Sequence, residues 1–213
     1  MRTFVLLVAL LLVVEGCGGA RLKHQYHQAQ LDLSSKGDGQ VAVTVGDKRP
    51  YVVSGDKTPT FTGLMRNNFG MPFNITTESG NTLAHDMATV VVRSLATKGF
   101  SSSEAVLPPG MSSANYAKEK HPRRFLSITI FEWNSHSYAG LFGHETQELK
   151  YDIKAAVFDS KGTVLATKDV QGMDNLPIPG GDFFSHSRTA MATAYKGIFE
   201  RLLNDPKISN AIH

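Results

Sequence analysis

Cys17 is the residue for which the sequence indicates a specific chemistry. It is the only cysteine of the chain, and the small residue Gly16 stands directly before it. This order is typical of bacterial lipoprotein signals, in which the thiol is alkylated with diacylglycerol, the peptide is cleaved and the new amino terminus is acylated. Val14 and Glu15 depart from the usual residues of such signals. The pattern predicts that Cys17 is the lipid-carrying first residue of the mature chain.

The segment before the cysteine has the length of a signal peptide and not that of a membrane span. Its apolar run covers residues 4–14 and would extend for about 16 Å as a helix, whereas a bilayer core of about 30 Å needs about 20 apolar residues. We therefore interpret residues 1–16 as a signal peptide that is removed. Two alternatives stay open. Cleavage after Ala20 would discard Cys17, and a eukaryotic secretory signal would make Asn74 a glycosylation acceptor.

Lipidation at Cys17 predicts where the chain resides. Two or more acyl chains, each contributing about 0.8 kcal/mol per buried methylene, give stable anchoring where one chain does not. In many Gram-negative bacteria, aspartate after the cysteine retains a lipoprotein in the inner membrane, but here Gly18 follows it. We therefore expect the protein in the outer membrane, lipid-anchored and facing the periplasm.

Composition and charge restrict the class of partner. The formal net charge of +3 is spread along the sequence without a basic block, so the electrostatic footprint of a nucleic-acid-binding protein is missing. Because the chain has a single cysteine, no disulfide can form within it, and packing must supply its stability. We expect the membrane as a partner through the lipid anchor, an envelope protein as a candidate partner, no nucleic acid and no cofactor.

The remaining sequence divides into a polar segment and a periodic one. Residues 17–40 are polar and contain several glycines, which is typical of a flexible tether after a lipidated amino terminus. Residues 41–213 carry the apolar patterns of a single globular domain. The predicted elements are a strand at 41–45, a helix at 83–95, a strand at 125–133, a hairpin at 149–170 and a helix at 185–203. This order predicts an α+β fold, with an antiparallel sheet packed on one face by two amphipathic helices.

Few other side chains stand in a catalytic or metal-binding pattern. The sequence lacks the zinc-protease, phosphate-loop, paired-cysteine and nucleophile-elbow motifs. His144 and Glu145, with His136 nearby, could ligate zinc if their loop folded back, but a solvated hairpin loop is the simpler interpretation. His85 and Asp86 are adjacent in a predicted helix and so do not face each other. We therefore predict no catalytic residue and no metal site.

Five side chains are candidates for binding a ligand or a partner. They are Arg49, Arg66, Trp133, Tyr138 and Phe142. The two arginines lie in or near the loop-rich residues 51–77, where a guanidinium could contact phosphate or a glycan. The three aromatic residues surround a glycine-containing loop that could form an apolar tip for a partner or a lipid. The alternatives are a solvated surface for the arginines and packing on the second face of the sheet for Trp133.

Several short motifs of the chain are similar to those of a known family. They are Gly16-Cys17, Thr97-Lys98-Gly99-Phe100, residues 149–162 and Asn204-Asp205-Pro206-Lys207-Ile208. With these motifs the chain resembles the YajG-like family of Gram-negative outer-membrane lipoproteins. Residues 51–77 are longer than the family pattern. The resemblance implies an outer-membrane lipoprotein without an established enzymatic role.

These observations favour a non-enzymatic outer-membrane lipoprotein that acts as a periplasmic interaction or accessory module of the cell envelope. The alternative is a lipoprotein that binds a small ligand, such as a lipid or a cell-wall fragment, in an apolar space of the domain. A third hypothesis, hydrolysis of the cell wall, would depend on His144 or Glu145. Among these three, the first requires the fewest residues in special positions.

The mass of the mature amino terminus tests the anchor, the cleavage site and the compartment together. We expect a chain that begins at Cys17 and carries diacylglycerol and an amide-linked acyl group, because Gly16-Cys17 specifies both cleavage and modification. Mass spectrometry of the amino-terminal peptide measures this. An unmodified chain that begins after Ala20 would contradict the prediction.

Overall fold

The computed structural model describes residues 22–67, 69–139, 145–179 and 181–213. The strands are β1 (Lys23–His24), β2 (Gln40–Asp47), β3 (Phe61–Arg66), β4 (Pro72–Thr77), β5 (Ser101–Glu104), β6 (Arg124–Ala139), β7 (Glu145–Phe158) and β8 (Val164–Leu176). The helices are α1 (Pro50–Val53), α2 (Leu83–Thr97), α3 (Ser113–Lys120), α4 (Phe183–Leu203) and α5 (Pro206–Ile212). Cys17 and the predicted signal peptide lie outside these ranges. Within the ranges, no helix combines the length and the apolar character that crossing a membrane requires.

The strands form one mixed sheet that divides on one side of β6. On the other side, β6 pairs with β7 in antiparallel orientation, and β7 pairs with β8. On the dividing side, residues 124–130 of β6 pair in parallel with β2, and residues 135–138 pair in parallel with β3. The sheet then continues from β2 to β5, and from β3 to β4 and β1. We call β2 with β5 the β2 branch, and β3 with β4 and β1 the β3 branch.

The α+β class of a single domain is confirmed, but the prediction of an antiparallel sheet is wrong. The hairpins of β3 with β4, β6 with β7 and β7 with β8 are antiparallel, as short connections allow. The pairs of β2 with β5, β2 with β6, β3 with β6 and β1 with β4 are instead parallel. Long connections containing helices separate these strands from their neighbours, and parallel pairing needs such crossovers. The complete sheet curls into a half-barrel.

The main core contains side chains from one face of the sheet and from the long helices. Buried residues of β2, β6 and β7 belong to the same apolar cluster as those of α2 and α4. On α2 they recur at helical spacing, and Thr82 caps this helix by accepting a hydrogen bond from the His85 amide. On α4 the cap is Asp182, three residues before the predicted helix start at 185. A smaller cluster on the opposite sheet face joins α3 to β6 and β7.

The predicted tether is wrong from Leu22 onward, because this segment packs on the domain. Leu22, Tyr26, Leu31 and Leu33 are each at most 3% exposed. The segment is mainly irregular, so its backbone amides bond to side chains of the helices. For example, the Leu31 amide donates to Ser94 Oγ of α2 (3.0 Å). Because its apolar residues follow neither a helical nor a strand period, sequence periodicity does not identify them as core.

A β-bulge in β6 changes which of its residues face the main core. Before the irregularity between Ile130 and Glu132, the residues of β6 that belong to the main core are at even positions, as in Leu126 and Ile128. After it they are at odd positions, beginning with Trp133, because one extra residue shifts the alternation of the strand. The next inward residues are serines 135 and 137, which are also buried. The interior therefore becomes polar beyond the bulge.

Arg49 fills the space where the two branches separate. Its side chain is fully buried, and its Nη1 donates to the carbonyl oxygens of Phe61 in β3 (2.6 Å) and Trp133 in β6 (3.3 Å). Its Nε and Nη2 donate to the two carboxylate oxygens of Asp47 at the end of β2 (2.8 and 2.7 Å). Burial opposes the charge of Arg49, but the hydrogen bonds and the charge of Asp47 hold its pKa above the usual value. One guanidinium thus joins both branches to the central strand.

Gly63 allows the β3 branch to approach β6 closely. It pairs with Ser135, and a Cβ atom at this position would overlap the Ser135 carbonyl oxygen. Any other residue would therefore push β3 away from β6. The parallel pairing of these strands depends on a glycine here.

Replacing Arg49 by methionine should destabilise the domain. We expect Arg49→Met to lower the free energy of unfolding by about 3 kcal/mol, because Asp47 and two buried carbonyl groups lose their partner. Urea denaturation followed by circular dichroism measures this change. Arg123→Met is the matched control, since Arg123 is half exposed and lies 3.9 Å from Asp38, and it should change stability by less than about 0.5 kcal/mol. Equal effects of the two substitutions would contradict the role of Arg49.

Candidate binding groove and apolar hairpin end

A groove lies on the sheet face opposite the main core. Thr44 of β2 and Ser127 and Thr129 of β6 line it, and their strand positions alternate with those of buried core residues. The start of α2 and residues 104–113 form further walls. The volume is about 780 Å³, which is within the range of small-molecule sites.

The groove is open because α3 covers only the beginning of this sheet face. Ala117 of α3 packs in a cluster with Phe125 and Phe158. Two residues further along β6, the small side chain of Ser127 faces the groove and its Oγ lies 2.8 Å from Ser113 Oγ. The strand thus changes from an aromatic to a hydroxyl-bearing surface beside Ser113, the first residue of α3. This change in side-chain size leaves a recess.

The walls of the groove combine charged, hydroxyl and apolar groups. His85 Nδ1 lies 3.0 Å from Glu104 Oε1 at one wall, and Val106 on another wall is 81% exposed. Leu107 and Met111 add apolar surface. Hydroxyl groups can bond a polar ligand or a peptide backbone, and the apolar wall can bind side chains or acyl groups. These groups give the groove the chemistry to hold either kind of ligand.

Arg66 and Tyr138 meet at the far end of the sheet. They are register partners in the parallel pairing of β3 and β6, and together with His136 and Glu148 they line a small cavity of about 210 Å³. Arg66 Nη1 donates to the carbonyl oxygen of Gly70 (3.2 Å) in the turn between β3 and β4. This end of the sheet also has exposed apolar residues at 69, 71 and 73.

The other predicted binding residues have different environments. Arg49 and Trp133 are fully buried, so the prediction that they contact a surface partner is wrong for both. Arg49 holds the branches together, and Trp133 packs in the main core rather than on the second face of the sheet. Phe142 and His144 lie outside the described residues. In the ranges that the structure describes, no group of three or more His, Cys, Asp or Glu side chains is placed to hold a metal ion.

The His85-Asp86 pair is separated, as their adjacency in a helix requires. His85 faces Glu104, whereas the buried Asp86 accepts hydrogen bonds from Ser79 Oγ (2.7 and 2.9 Å). Asp86 therefore holds the loop before α2 and does not orient the imidazole. The two side chains do not form an acid–base pair.

A buried polar cluster joins the amino-terminal segment to the sheet. His24 Nδ1 lies 3.2 Å from the Tyr26 hydroxyl and 3.1 Å from Thr62 Oγ1, and Trp133 Nε1 donates to the Tyr26 hydroxyl (2.9 Å). Burial lowers the pKa of His24 to about 3, and the positive charge of Arg188 contributes in the same direction. His24 is therefore neutral, and its Nδ1 is within hydrogen-bond distance of both hydroxyl groups. The cluster specifies how residues 22–26 dock and is closed to ligands.

Comparison with solved structures shows that the fold is shared with a bacterial protein. A Xanthomonas campestris protein described as belonging to family DUF330 matches with a TM-score of 0.54 at 10% identity, over 88% of this chain and 96% of that chain. A hypothetical protein from Chlamydia trachomatis matches with a TM-score of 0.45 at 10% identity, over 83% and 98%. A Neisseria meningitidis lipoprotein matches with a TM-score of 0.30 at 12% identity, over 75% and 99%. The last two similarities are too low to support an argument.

No family model matches the sequence, and no curated protein matches it. The resemblance to the YajG-like family therefore stays a prediction. What the comparison shows is the fold alone, because the identity to the Xanthomonas campestris protein is 10%.

The groove residues were not predicted from the sequence. Thr44, Ser127 and Thr129 form the polar side of two alternating strands, which by itself predicts a solvated face. Only the parallel pairing of β2 with β6 brings them together. The sequence feature that could have indicated the groove is the change from Phe125 to Ser127 and Thr129 on the same side of β6.

Burial of neutral His24 makes stability depend on pH. Its pKa of about 3 in the folded state is below the ordinary value of about 6.5, so the unfolded state binds more protons at acidic pH. The stability from neutral His24 is present above about pH 6.5 and is lost as the pH falls towards 3. Between pH 7 and pH 5 we expect a loss of about 2 kcal/mol from this group, at about 1.36 kcal/mol per unit.

Urea denaturation of wild type, His24→Gln and His136→Gln at both pH values measures this contribution. The carboxylate groups contribute the same pH dependence of stability to all three proteins. The difference between wild type and each variant therefore gives the contribution of the replaced histidine. His136 is exposed, and its replacement should leave the pH dependence as in wild type. A His24→Gln protein with the wild-type pH dependence would refute the prediction.

Proposed function

We propose that this protein is a lipid-anchored lipoprotein of the outer membrane, faces the periplasm, and acts without catalysis as an interaction module of the cell envelope. The observation that carries the proposal is the apolar run of residues 4–14 followed by Gly16-Cys17. The domain follows closely, since Leu22 is already buried in it. Gly18 after the cysteine supports the outer membrane as the location.

The groove supports the interaction role. Its sheet wall is built on strands that also form the main core, so it is rigid, whereas residues 105–112 form a loop that can adapt to a partner. Val106 exposes 81% of its surface on this loop. An envelope protein can insert an extended segment there, bonding its backbone to the hydroxyl groups of Thr44 and Thr129.

The alternative function is the binding of a small ligand in the same groove. The volume of about 780 Å³ suits a cell-wall fragment or part of a lipid. Sugar hydroxyl groups can bond to Ser127, Thr129 and Glu104, and an acyl chain can contact Leu107 and Met111. This alternative differs from the first proposal only in the molecule that fills the groove.

Photo-crosslinking in intact cells tests the proposed interaction. Benzoylphenylalanine at Val106 should capture an envelope protein at native expression, because this residue borders the groove. The same amino acid at Val164, which is 51% exposed at the start of β8, is the matched control and should capture none. Thr129→Trp fills the groove and should lower the yield from Val106 severalfold.

Native mass spectrometry of the protein purified from cells separates the two functions. A bound small molecule that Thr129→Trp removes, without any capture from Val106, would support the alternative. If no protein is captured and no ligand is bound, both proposed functions are overturned. Equal capture from Val106 and Val164 would contradict the groove as the site.

A further inference from the structure

The chain between the proposed lipid anchor and the domain is short. Leu22 follows Cys17 by five positions, and five residues span at most about 18 Å when fully extended. Leu22 is buried in a cluster with Met65, Ile75 and Phe183. The attachment point of the domain is therefore in the β3 branch. A lipid on Cys17 keeps this branch within about 18 Å of the bilayer surface.

The direction of β1 indicates which end of the β3 branch is near the anchor. Lys23 and His24 pair in parallel with Thr76 and Thr77, so β1 runs in the same direction as β4. β4 itself runs away from the turn that connects it to β3. Leu22, directly before β1, therefore lies at the end of β1 that is nearer to this turn.

The same turn exposes apolar side chains. Phe69 is 86% exposed, Met71 52% and Phe73 39%, and Tyr138 at the neighbouring end of β6 is 40% exposed. We call these four residues the apolar rim. Scattered apolar residues on a surface are ordinary, but a group of this kind at one end of a domain marks an interaction site.

The chemistry of the apolar rim fits the surface of a phospholipid leaflet. Tyr138 has an amphipathic ring of the kind that is enriched at the level of the lipid headgroups, and phenylalanine is among the residues that interfacial segments bury at the boundary with the acyl chains. Arg66, which bonds to the carbonyl of Gly70 in the turn, places a guanidinium next to Tyr138. Lipid phosphates are acceptors that suit this group. The rim thus combines insertion with phosphate recognition.

We propose that the apolar rim docks on the phospholipid leaflet that holds the acyl chains of Cys17. This inference rests on the proposed lipid anchor and adds an orientation to it. In this orientation the turn between β3 and β4 faces the bilayer. Thr129 in the groove is nine residues from Tyr138 along β6, which corresponds to about 30 Å. The groove is then held towards the periplasm, where a partner can reach it.

Tryptophan fluorescence on vesicles tests the docking. The mature full-length chain is reconstituted into vesicles of phosphatidylethanolamine and phosphatidylglycerol, with or without acyl chains brominated near the headgroup. The probes are M71W and F69W in the rim. The control is V164W, because Val164 is 51% exposed and Met71 is 52% exposed. Val164 pairs with Phe158 of β7, which in turn pairs with Phe125 of β6. Phe125 is 13 residues along β6 from Tyr138, so Val164 is far from the rim. The wild-type signal gives the background of the buried Trp133.

Brominated lipids should lower the emission of M71W and F69W about twofold, because an interfacial side chain lies about 5–10 Å within the headgroup boundary, and should leave V164W unchanged. Flotation of the wild-type protein with the vesicles tests the anchor separately. Flotation with equal quenching at positions 71 and 164 would overturn the docking and leave the anchor proposal intact. Failure to float would overturn the anchor, and the docking with it. A further outcome is that the tryptophan of M71W is shielded from solvent in detergent, to an extent that increases with protein concentration. This result would show that a second copy of the chain covers the rim, and it would overturn the docking.

Discussion

The buried guanidinium of Arg49 is the interaction on which the arrangement of this domain depends. A sheet that divides leaves backbone groups at the fork without strand partners, and buried backbone groups need hydrogen bonds. Arg49 donates to the carbonyl groups of Trp133 and Phe61, and the Lys48 amide donates to Ile130 (2.8 Å). Because Asp47 neutralises the charge of Arg49 within the same site, the fork is closed without an unpaired ion.

This closure has a functional consequence, because the two branches carry different sites. The groove is built on the β2 branch, and the apolar rim is at the turn of the β3 branch. Arg49 bonds to Asp47 in one branch and to Phe61 in the other, so the two surfaces are held in one orientation. A domain that touches a membrane with one end can then present its groove at a defined height.

The sequence predicted the elements with clear periodicity and missed what depends on long-range pairing. Apolar spacing identified the helices that begin near Leu83 and Phe183, and alternation identified the hairpin of β7 and β8. Parallel pairing of β2 and β3 with β6 leaves no local pattern, so the sheet was predicted as antiparallel. Arg49 was assigned to the surface because a loop arginine is usually solvated. Among the binding candidates, Arg66 and Tyr138 do meet, yet 72 positions separate them in the sequence and only the β3–β6 pairing unites them.

The short connection between Cys17 and Leu22 makes the proposed lipid anchor a constraint on orientation. A long tether would let the domain rotate freely, whereas about 18 Å of chain at most would keep the β3 branch beside the bilayer. Hydrogen exchange of the lipidated protein, on vesicles and in detergent, tests this account most directly. Docking of the apolar rim predicts slower exchange on vesicles for the amides of Phe69 to Met71 and unchanged exchange for residues 105–112. Unchanged exchange at the turn, or slower exchange only at residues 105–112, would contradict it.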